Sequence, residues 1–412
     1  MRQSILFAKT QKVVPKDELS ISSQYLIKAS LVNKLTAGVY TYLPLGLMTL
    51  KKIENIIRQE MLKLDAQEIL MPSLTPKELW ETTGRWQTFS ELYKIKDQSK
   101  KEYALAATHE EVIVPLIKNF IKSYKDLPLG VFQIQNKFRS ELRAKSGLIR
   151  GREFIMKDLY SFHLDENDLN DYYNKVIQSY HNIFKRCGIG DLTFLTLSSG
   201  GTFSKYSHEF QTISSAGEDT IYLCNNCKQA INKEISTEQK KCSNCGNPKL
   251  EQKKSIEVGN IFKLMDKYSR PFNLNYQDKT GENKIILMGC YGIGLGRLLA
   301  SVVEINHDPE GIIWPKNLTP FQLHLLDFDN QSFSKNYYQQ LQTEGFTVLY
   351  DERELSAGQK LKDADLLGIS VRLISSAKTK EKLEIKYRSE SKTKIIDFKT
   401  LINELKHYYF NV

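Results

Sequence analysis

Residues 138–158 read FRSELRAKSGLIRGREFIMKD. Ile134 and Phe138 precede a polar stretch, and Phe154 and Met156 follow it. The pattern predicts two strands flanking a basic, glycine-containing tip, Arg143-Ala-Lys145-Ser-Gly147. An arginine at the end of a strand, as Arg139 would be, can hold a phosphate through two parallel N–H bonds, which a lysine cannot. A second arginine, Arg150, with Phe154 four residues on, could sandwich a planar ring between a cation and an aromatic face. The competing reading is a charged surface hairpin.

The rest of the chain narrows what such a hairpin serves. A length of 412 residues suggests two or three domains. A 41% share of hydrophobic residues can bury real cores, and a 26% share of charged residues is ordinary for a soluble protein. Lysine and arginine number 58 against 48 acidic residues, an excess of +10 that favours an anionic partner such as nucleic acid. The opening MRQSILFAKTQK has too short an apolar run for a secretory signal. The long apolar run, 285–303, carries Arg297 and four glycines, which argues against a membrane span.

Four of the six cysteines form two knuckles, Cys224-Asn-Asn-Cys227 and Cys242-Ser-Asn-Cys245, separated by 14 residues. In a chain without a signal peptide this spacing points to a tetrahedral zinc ribbon rather than disulfides. Four thiolates leave no open position, so the zinc is structural. The polar, Lys-rich segment between the knuckles needs such a staple to fold. Cys187 and Cys290 read as small buried residues.

Along the chain, Tyr25–Val32 predicts a helix, and Leu47, Leu50, Ile53, Ile57 and Leu64 recur at helical spacing. Glu68–Pro72 follows as a short strand stopped by proline. Glu81–Trp86 reads as a turn with an exposed aromatic. Thr108 and Glu111 are placed for a capping box at the start of a helix, which leaves His109 and Glu110 without a structural purpose. Asp165–Gly188 is a helix whose apolar stripe runs from Leu169 to Cys187. Ser199–Phe210 reads as a Gly-rich loop carrying His208. Ile256–Leu264 and Ile285–Met288 read as strands. Gly292-Ile-Gly294-Leu-Gly296-Arg297 then precedes a helix from Leu298, with spacing unlike a dinucleotide fingerprint. From Thr319, strands alternate with helices as in a small α/β domain.

Taken in order, these pieces resemble the class II aminoacyl-tRNA synthetases, and among them the bacterial-type prolyl-tRNA synthetases. The stretch 138–158 resembles motif 2, the helix and strand of 47–72 resemble motif 1, and Gly292–Arg297 resembles motif 3. Thr108-His-Glu110 resembles the proline-recognition element, and Ser207-His208-Glu-Phe210 a run whose histidine lies beside bound proline. Asp351-Glu-Arg353, Gly358-x-Lys360 and Asp365–Gly368 resemble the class IIa anticodon-binding domain. Ser356-Ala-Gly358 and Ile369-Ser370 stand where the family has Arg-Pro-Gly and Ile-Pro.

The resemblance implies an α+β fold. An antiparallel-sheet catalytic domain with helices would occupy 1–219 and 255–316, the zinc ribbon 220–254, and an α/β anticodon-binding domain 317–412. It implies activation of L-proline by ATP with Mg²⁺ and transfer to tRNA(Pro), in the cytoplasm, by a homodimer. Arg139, Glu141 and Arg297 would be catalytic. Arg139, Glu141, Arg150, Phe154, Gly294 and Arg297 would bind ATP, with Phe154 and Arg297 enclosing the adenine. Thr108, Glu110, Arg139, Met156, Tyr160 and His208 would bind proline. Asp351, Arg353 and Lys360 would bind the anticodon, and Cys224, Cys227, Cys242 and Cys245 would hold Zn²⁺. Many bacterial relatives carry a large editing insertion where this chain has only the ribbon, which implies a separate editing protein. The alternatives are a class IIa synthetase for another amino acid, a non-catalytic tRNA-binding paralogue, and a nucleic-acid module built on the ribbon.

Overall fold

A computed structural model describes residues 1–142, 144, 146–201, 204–329 and 332–410. Arg143 and Lys145 of the basic tip, and Thr202 and Phe203, lie outside the described residues. The chain forms two compact units, Leu35–Tyr40 with Ile53–Ser301, and Met1–Lys34 with Thr41–Lys52 and Val302–Val412.

The first unit is built on a nine-stranded sheet. Its strands are β1 (Gln67–Glu68), β2 (Leu129–Phe138), β3 (Glu153–His163), β4 (Thr193–Ser199), β5 (Tyr206–Ile213), β6 (Asp219–Cys224), β7 (Ala230–Asn232), β8 (Leu250–Met265) and β9 (Leu287–Gly294). They lie in the order β5-β4-β7-β6-β8-β9-β3-β2-β1, and β5 also pairs with β8. Neighbours are antiparallel except β1–β2 and β4–β7. The expected hairpin is present as β2–β3, in register from Phe138 opposite Glu153 to Leu129 opposite Phe162.

Because side chains alternate along a strand, this register sorts residues onto two faces. Met156, Asp158 and Tyr160 share a face with Gly294, Gly292 and Cys290 of β9. On the same face the helix α2 (Glu110–Lys118) packs Ile113 and Val114 into a core with Tyr160. The other face carries Leu159 and Tyr291 and meets the helix α3 (Glu166–Arg186), whose Tyr172 and Tyr173 rings lie 6.1 Å from Tyr291. α3 starts where Asp165 accepts a bond from the Asp168 N–H and stops before Gly188, at φ +76°. Its stripe through Leu169, Val176 and Phe184 to Cys187 is fully buried, as the periodicity predicted.

Several local expectations change. The first helix runs over Ile21–Lys28, capped by Ser20, and Val32 already belongs to a strand. The amphipathic helix α1 spans Pro44–Leu62. The strand expected at Glu68–Pro72 is only β1, because after the Ile69 bond to Phe132 the Met71 N–H turns to the Gln133 side chain. Trp86 is buried with Trp80 beside a three-stranded sheet of Leu74–Pro76, Glu102–Leu105 and Tyr93–Lys96. The helix after β9, α4 (Leu295–Ile305), starts three residues earlier than predicted and places Arg297 in its first turn. The ribbon is not a separate body. β6 and β7 flank its first knuckle inside the large sheet, and Ile221, Leu223 and Ala230 pack against Phe194 and Ile213.

In the second unit, β10 (Leu323–Asp327), β11 (Val348–Asp351), β12 (Val371–Ser375), β13 (Leu383–Tyr387) and β14 (Thr393–Ile396) form a sheet in the order β11-β10-β12-β13-β14. The helices α5 (Ser332–Thr343), α6 (Ala357–Leu367) and α7 (Phe398–Phe410) complete the expected alternation. Ser356 and Gln359 cap α6 reciprocally, and Gly368, at φ +69°, ends it. The altered Ser-Ala-Gly therefore serves as a helix cap. Among the described residues no helix is long and apolar enough to cross a membrane.

Candidate active site

The ends of β2, β3 and β9, the middle of β8 and the first turn of α4 border an open cleft of about 640 Å³. Arg139, Glu141, Arg150, Phe154, Met156, Gly294 and Arg297 all line it. The chain order separates these residues by up to 158 positions, and the sheet register brings them together. Arg139 lies over the Phe154 ring, its guanidinium carbon 5.3 Å from the ring centre. Arg297 instead donates Nε to Ile149 O at 2.8 Å and Nη1 to Glu257 O at 3.1 Å. Phe154, Arg139 and Arg297 therefore border one space, with Arg139 resting on the Phe154 ring. Arg150 binds Glu141 at 2.8 Å and Glu218 at 3.3 Å.

The electrostatics of this cleft suit an anion. Burial, and then the positive charge of Arg297, lower the pKa of Arg139. Two cations held together in a partly dry space are stabilised when a negative group joins them. Glu257 and Asn260 also line the cleft, and sequence reasoning missed both. The available signal was a pair of polar residues inside an apolar strand. Asn260 explains Gly292 as well, since a Cβ there would come within 2.9 Å of Asn260 Oδ1.

Arg139 also reaches the second half of the site, donating Nε to Ala107 O at 3.3 Å, one residue before Thr108. The capping box expected there is absent. α2 begins at Glu110 behind His109, which makes no side-chain cap. The Thr108 hydroxyl donates to Glu110, whose other oxygen accepts the Cys290 thiol at 3.1 Å. Glu111 is taken by Arg85 at 3.0 Å and by the Thr83 hydroxyl at 2.9 Å. Cys290, expected as a small buried residue, borders the carboxylate. Burial pushes its thiol well up, so it stays protonated and donates.

Tyr160 lies fully buried beneath this pocket. It donates to Asp158 at 2.9 Å and accepts the His109 N–H at 3.1 Å. Lys137 completes the network on Asp158 at 2.8 Å. Burial, and then Lys137, lower the His109 pKa to about 4, so its ring is neutral and Nε2 donates to Pro72 O at 3.1 Å. His208 does not join them. It stands in β5, not in a loop, opposite Ile261, which pairs with Tyr291 on the α3 face. Its Nδ1 meets Tyr173 Oη at 2.9 Å. Burial first, and Lys263 second, lower its pKa to about 4. Glu209, the next residue, faces the other way.

The four ribbon cysteines converge, with all Sγ atoms within 4.8 Å of one another. Cys224–Cys245 at 3.5 Å and Cys227–Cys242 at 3.4 Å are far beyond a disulfide bond of about 2.05 Å. They are close to the ~3.8 Å edge of a tetrahedron with metal–sulfur bonds of about 2.3 Å.

The three anticodon candidates are engaged inward. Asp351 is fully buried and takes both Arg353 Nε and Nη2 at 2.7 Å, while Arg353 also binds Asp363 at 2.8 Å. Lys360 is 3% exposed and donates to the carbonyls of Asp327 and Asp351. All three side chains are held within a network of the domain's own polar groups.

Residues 93–306 match the family described as tRNA synthetase class II core domain (G, H, P, S and T), and 320–408 match the anticodon binding domain. A proline–tRNA ligase of Ehrlichia chaffeensis is 38% identical over 98% of this chain and 100% of its own length. One from Sulfurihydrogenibium is 33% identical over 99% of this chain and 100% of its own, across 564 aligned positions. Among solved structures, the Giardia lamblia prolyl-tRNA synthetase in complex with prolyl-adenylate has a TM-score of 0.74 at 19% identity, covering 93% of this chain and 73% of its own. The Cryptosporidium parvum enzyme complexed with L-proline and AMP has a TM-score of 0.76 at 16% identity, covering 97% and 80%.

Proposed function

The chain belongs to the proline–tRNA ligases, within the class II synthetases, and from that membership we propose that it activates L-proline and charges tRNA(Pro). The proline carboxylate attacks the α-phosphorus of ATP, pyrophosphate leaves, and prolyl-adenylate forms. A ribose hydroxyl at the tRNA 3′ end then attacks the prolyl carbonyl, and AMP leaves. The protein need supply no nucleophile, since positioning and charge stabilisation suffice.

One observation carries the assignment of roles. Arg139 sits between the cleft bordered by Phe154 and Arg297 and the pocket of Thr108 and Glu110. A group bridging the two would place its phosphate on Arg139. In this reading Arg139 holds the α-phosphate, with Arg297 adding charge. Phe154 and Gly294 line the adenosine side, and Glu141 and Arg150 position one another there. Thr108 and Glu110 offer two acceptors to the two hydrogens of the proline ammonium, and Met156 forms the wall. Tyr160 acts from below, by fixing His109 and Asp158.

Glu218, Asp219 and Glu257 line the adjoining space and offer the carboxylate oxygens that Mg²⁺ favours. The ion, when bound, neutralises the phosphates of ATP. Cys224, Cys227, Cys242 and Cys245 suit Zn²⁺, which would staple the ribbon. The division into a catalytic domain at 1–219 and 255–316, a ribbon at 220–254 and an anticodon-binding domain at 317–412 is part of the same proposal, as are a homodimer and a cytoplasmic location. Amino-acid-dependent ATP–pyrophosphate exchange against all twenty amino acids tests it. Exchange with proline is expected, and exchange with a different amino acid only would overturn the substrate.

A further inference from the structure

The pocket that receives the ammonium contains two adjacent buried carboxylates, Glu110 and Glu111, where recognition of one ammonium uses one. Two such charges in a dry site do not both ionise without a cation. Burial pushes Glu111 up, Arg85 pulls it down and Glu110 pushes it up again. Arg85 Nη1 lies 3.0 and 3.1 Å from the two oxygens of Glu111, but 3.7 Å from Glu110. Its guanidinium carbon is 4.6 Å from the Phe89 ring centre, 5.4 Å from that of Trp80 and 5.8 Å from that of Tyr268. These aromatic faces fix a cation in place without adding charge. Arg85 is therefore committed to Glu111 by geometry, while Glu110 takes its hydrogen bonds from Thr108 and Cys290.

We propose that Arg85 is a positioning residue for amino-acid recognition, pairing with Glu111 so that the pocket holds a single negative charge, on Glu110. This rests on the assignment of Glu110 to the substrate ammonium. If Glu111 loses its charge, Arg85 has Glu110 as its remaining carboxylate and neutralises the group the ammonium needs. If Arg85 loses its charge, nothing offsets Glu111 beside Glu110, and two like charges compete for the same dry space. If both lose their charge, the single negative Glu110 is restored.

The experiment measures the proline KM and the ATP KM in pyrophosphate exchange for Glu111→Gln, Arg85→Gln and the double variant. Glu111→Gln is expected to raise the proline KM about tenfold or more, in line with the strength of a charge-assisted hydrogen bond, with the ATP KM unchanged. The double variant is expected to bind proline more tightly than either single one, a reversal that loss of packing cannot produce. Losses that add in the double variant would overturn the proposal. If either single variant does not fold, the comparison of the other with the double variant decides in the same way. Glu110→Gln is measured alongside. An unchanged proline KM there would remove the premise, whereas a raised KM with additive Arg85 and Glu111 effects would remove only the role of Arg85.

Discussion

Arg139 makes one side-chain hydrogen bond among the described residues, from Nε to Ala107, and rests its plane on Phe154. A lysine could supply the charge but neither the stacked plane nor the fork. Arg139→Lys should lower proline-dependent pyrophosphate exchange by about 100-fold or more, the scale of losing one oriented charge-stabilising donor. Near-normal exchange in the folded variant would take Arg139 out of the chemistry. Lys360 poses the opposite case. Its ammonium closes two buried carbonyls, so Lys360→Met should lower the unfolding free energy by about 1–3 kcal/mol, the cost of leaving such groups unsatisfied. The affinity of the folded variant for tRNA should not change. Weaker tRNA binding without loss of thermal stability would return Lys360 to the anticodon surface.

At the scale of elements, the ribbon is tied to the sheet that bears the cleft. β6 begins at Asp219, beside Arg150 and Glu257, and ends at Cys224, the first knuckle. Six residues of β6 pair with β8, so the strand has a hold that does not depend on metal. Cys224→Ser should therefore abolish zinc binding and loosen residues beyond 224, while exchange stays within about threefold, because metal binding here folds a local segment. Metal analysis and hydrogen exchange over 225–249 check the first part. Loss of all exchange would mean that zinc holds β6, and with it the acidic wall of the cleft. Native protein without zinc would refute the site.

At the scale of the whole molecule, length itself is informative. The alignment with the Sulfurihydrogenibium relative needs 564 positions against 412 residues here, so that relative contains stretches with no counterpart in this chain. The segment 220–254 supplies strands to the large sheet and four cysteines to one cluster. A piece of about 35 residues is below the size that folds alone without a staple, and little remains for a pocket that hydrolyses an aminoacyl ester. Alanine is smaller than proline, and missing methylenes cost a competitor only about 1–3 kcal/mol each, so rejection at binding is incomplete. The protein should form alanyl-adenylate at a detectable rate and leave alanyl-tRNA(Pro) intact. Following pre-charged alanyl-tRNA with and without protein checks this. Hydrolysis well above the spontaneous rate would place an editing site elsewhere in the chain.

Local patterns with one dominant cause were legible from residues alone. The β2–β3 hairpin, the α3 stripe, the strands Val371–Ser375 and Leu383–Tyr387 and the cysteine knuckles follow from periodicity and spacing, which neighbouring residues enforce. Arg139, Glu141, Phe154 and Arg297 stand in a distinctive order along the chain, and the fold brings them to one cleft. The direction in which a side chain points was decided by the tertiary structure. His208 turns to α3 because β5 pairs with β8 in a register that sends its even neighbours away from the cleft. Glu111 leaves the helix cap because Arg85, 26 residues earlier in the chain, offers a charge that a backbone N–H cannot match. Asp351, Arg353 and Lys360 have the residue types of a binding surface, yet close a buried network among themselves, Asp327 and Asp363. Such choices depend on partners distant in sequence, and burial makes each of them costly to leave unmet.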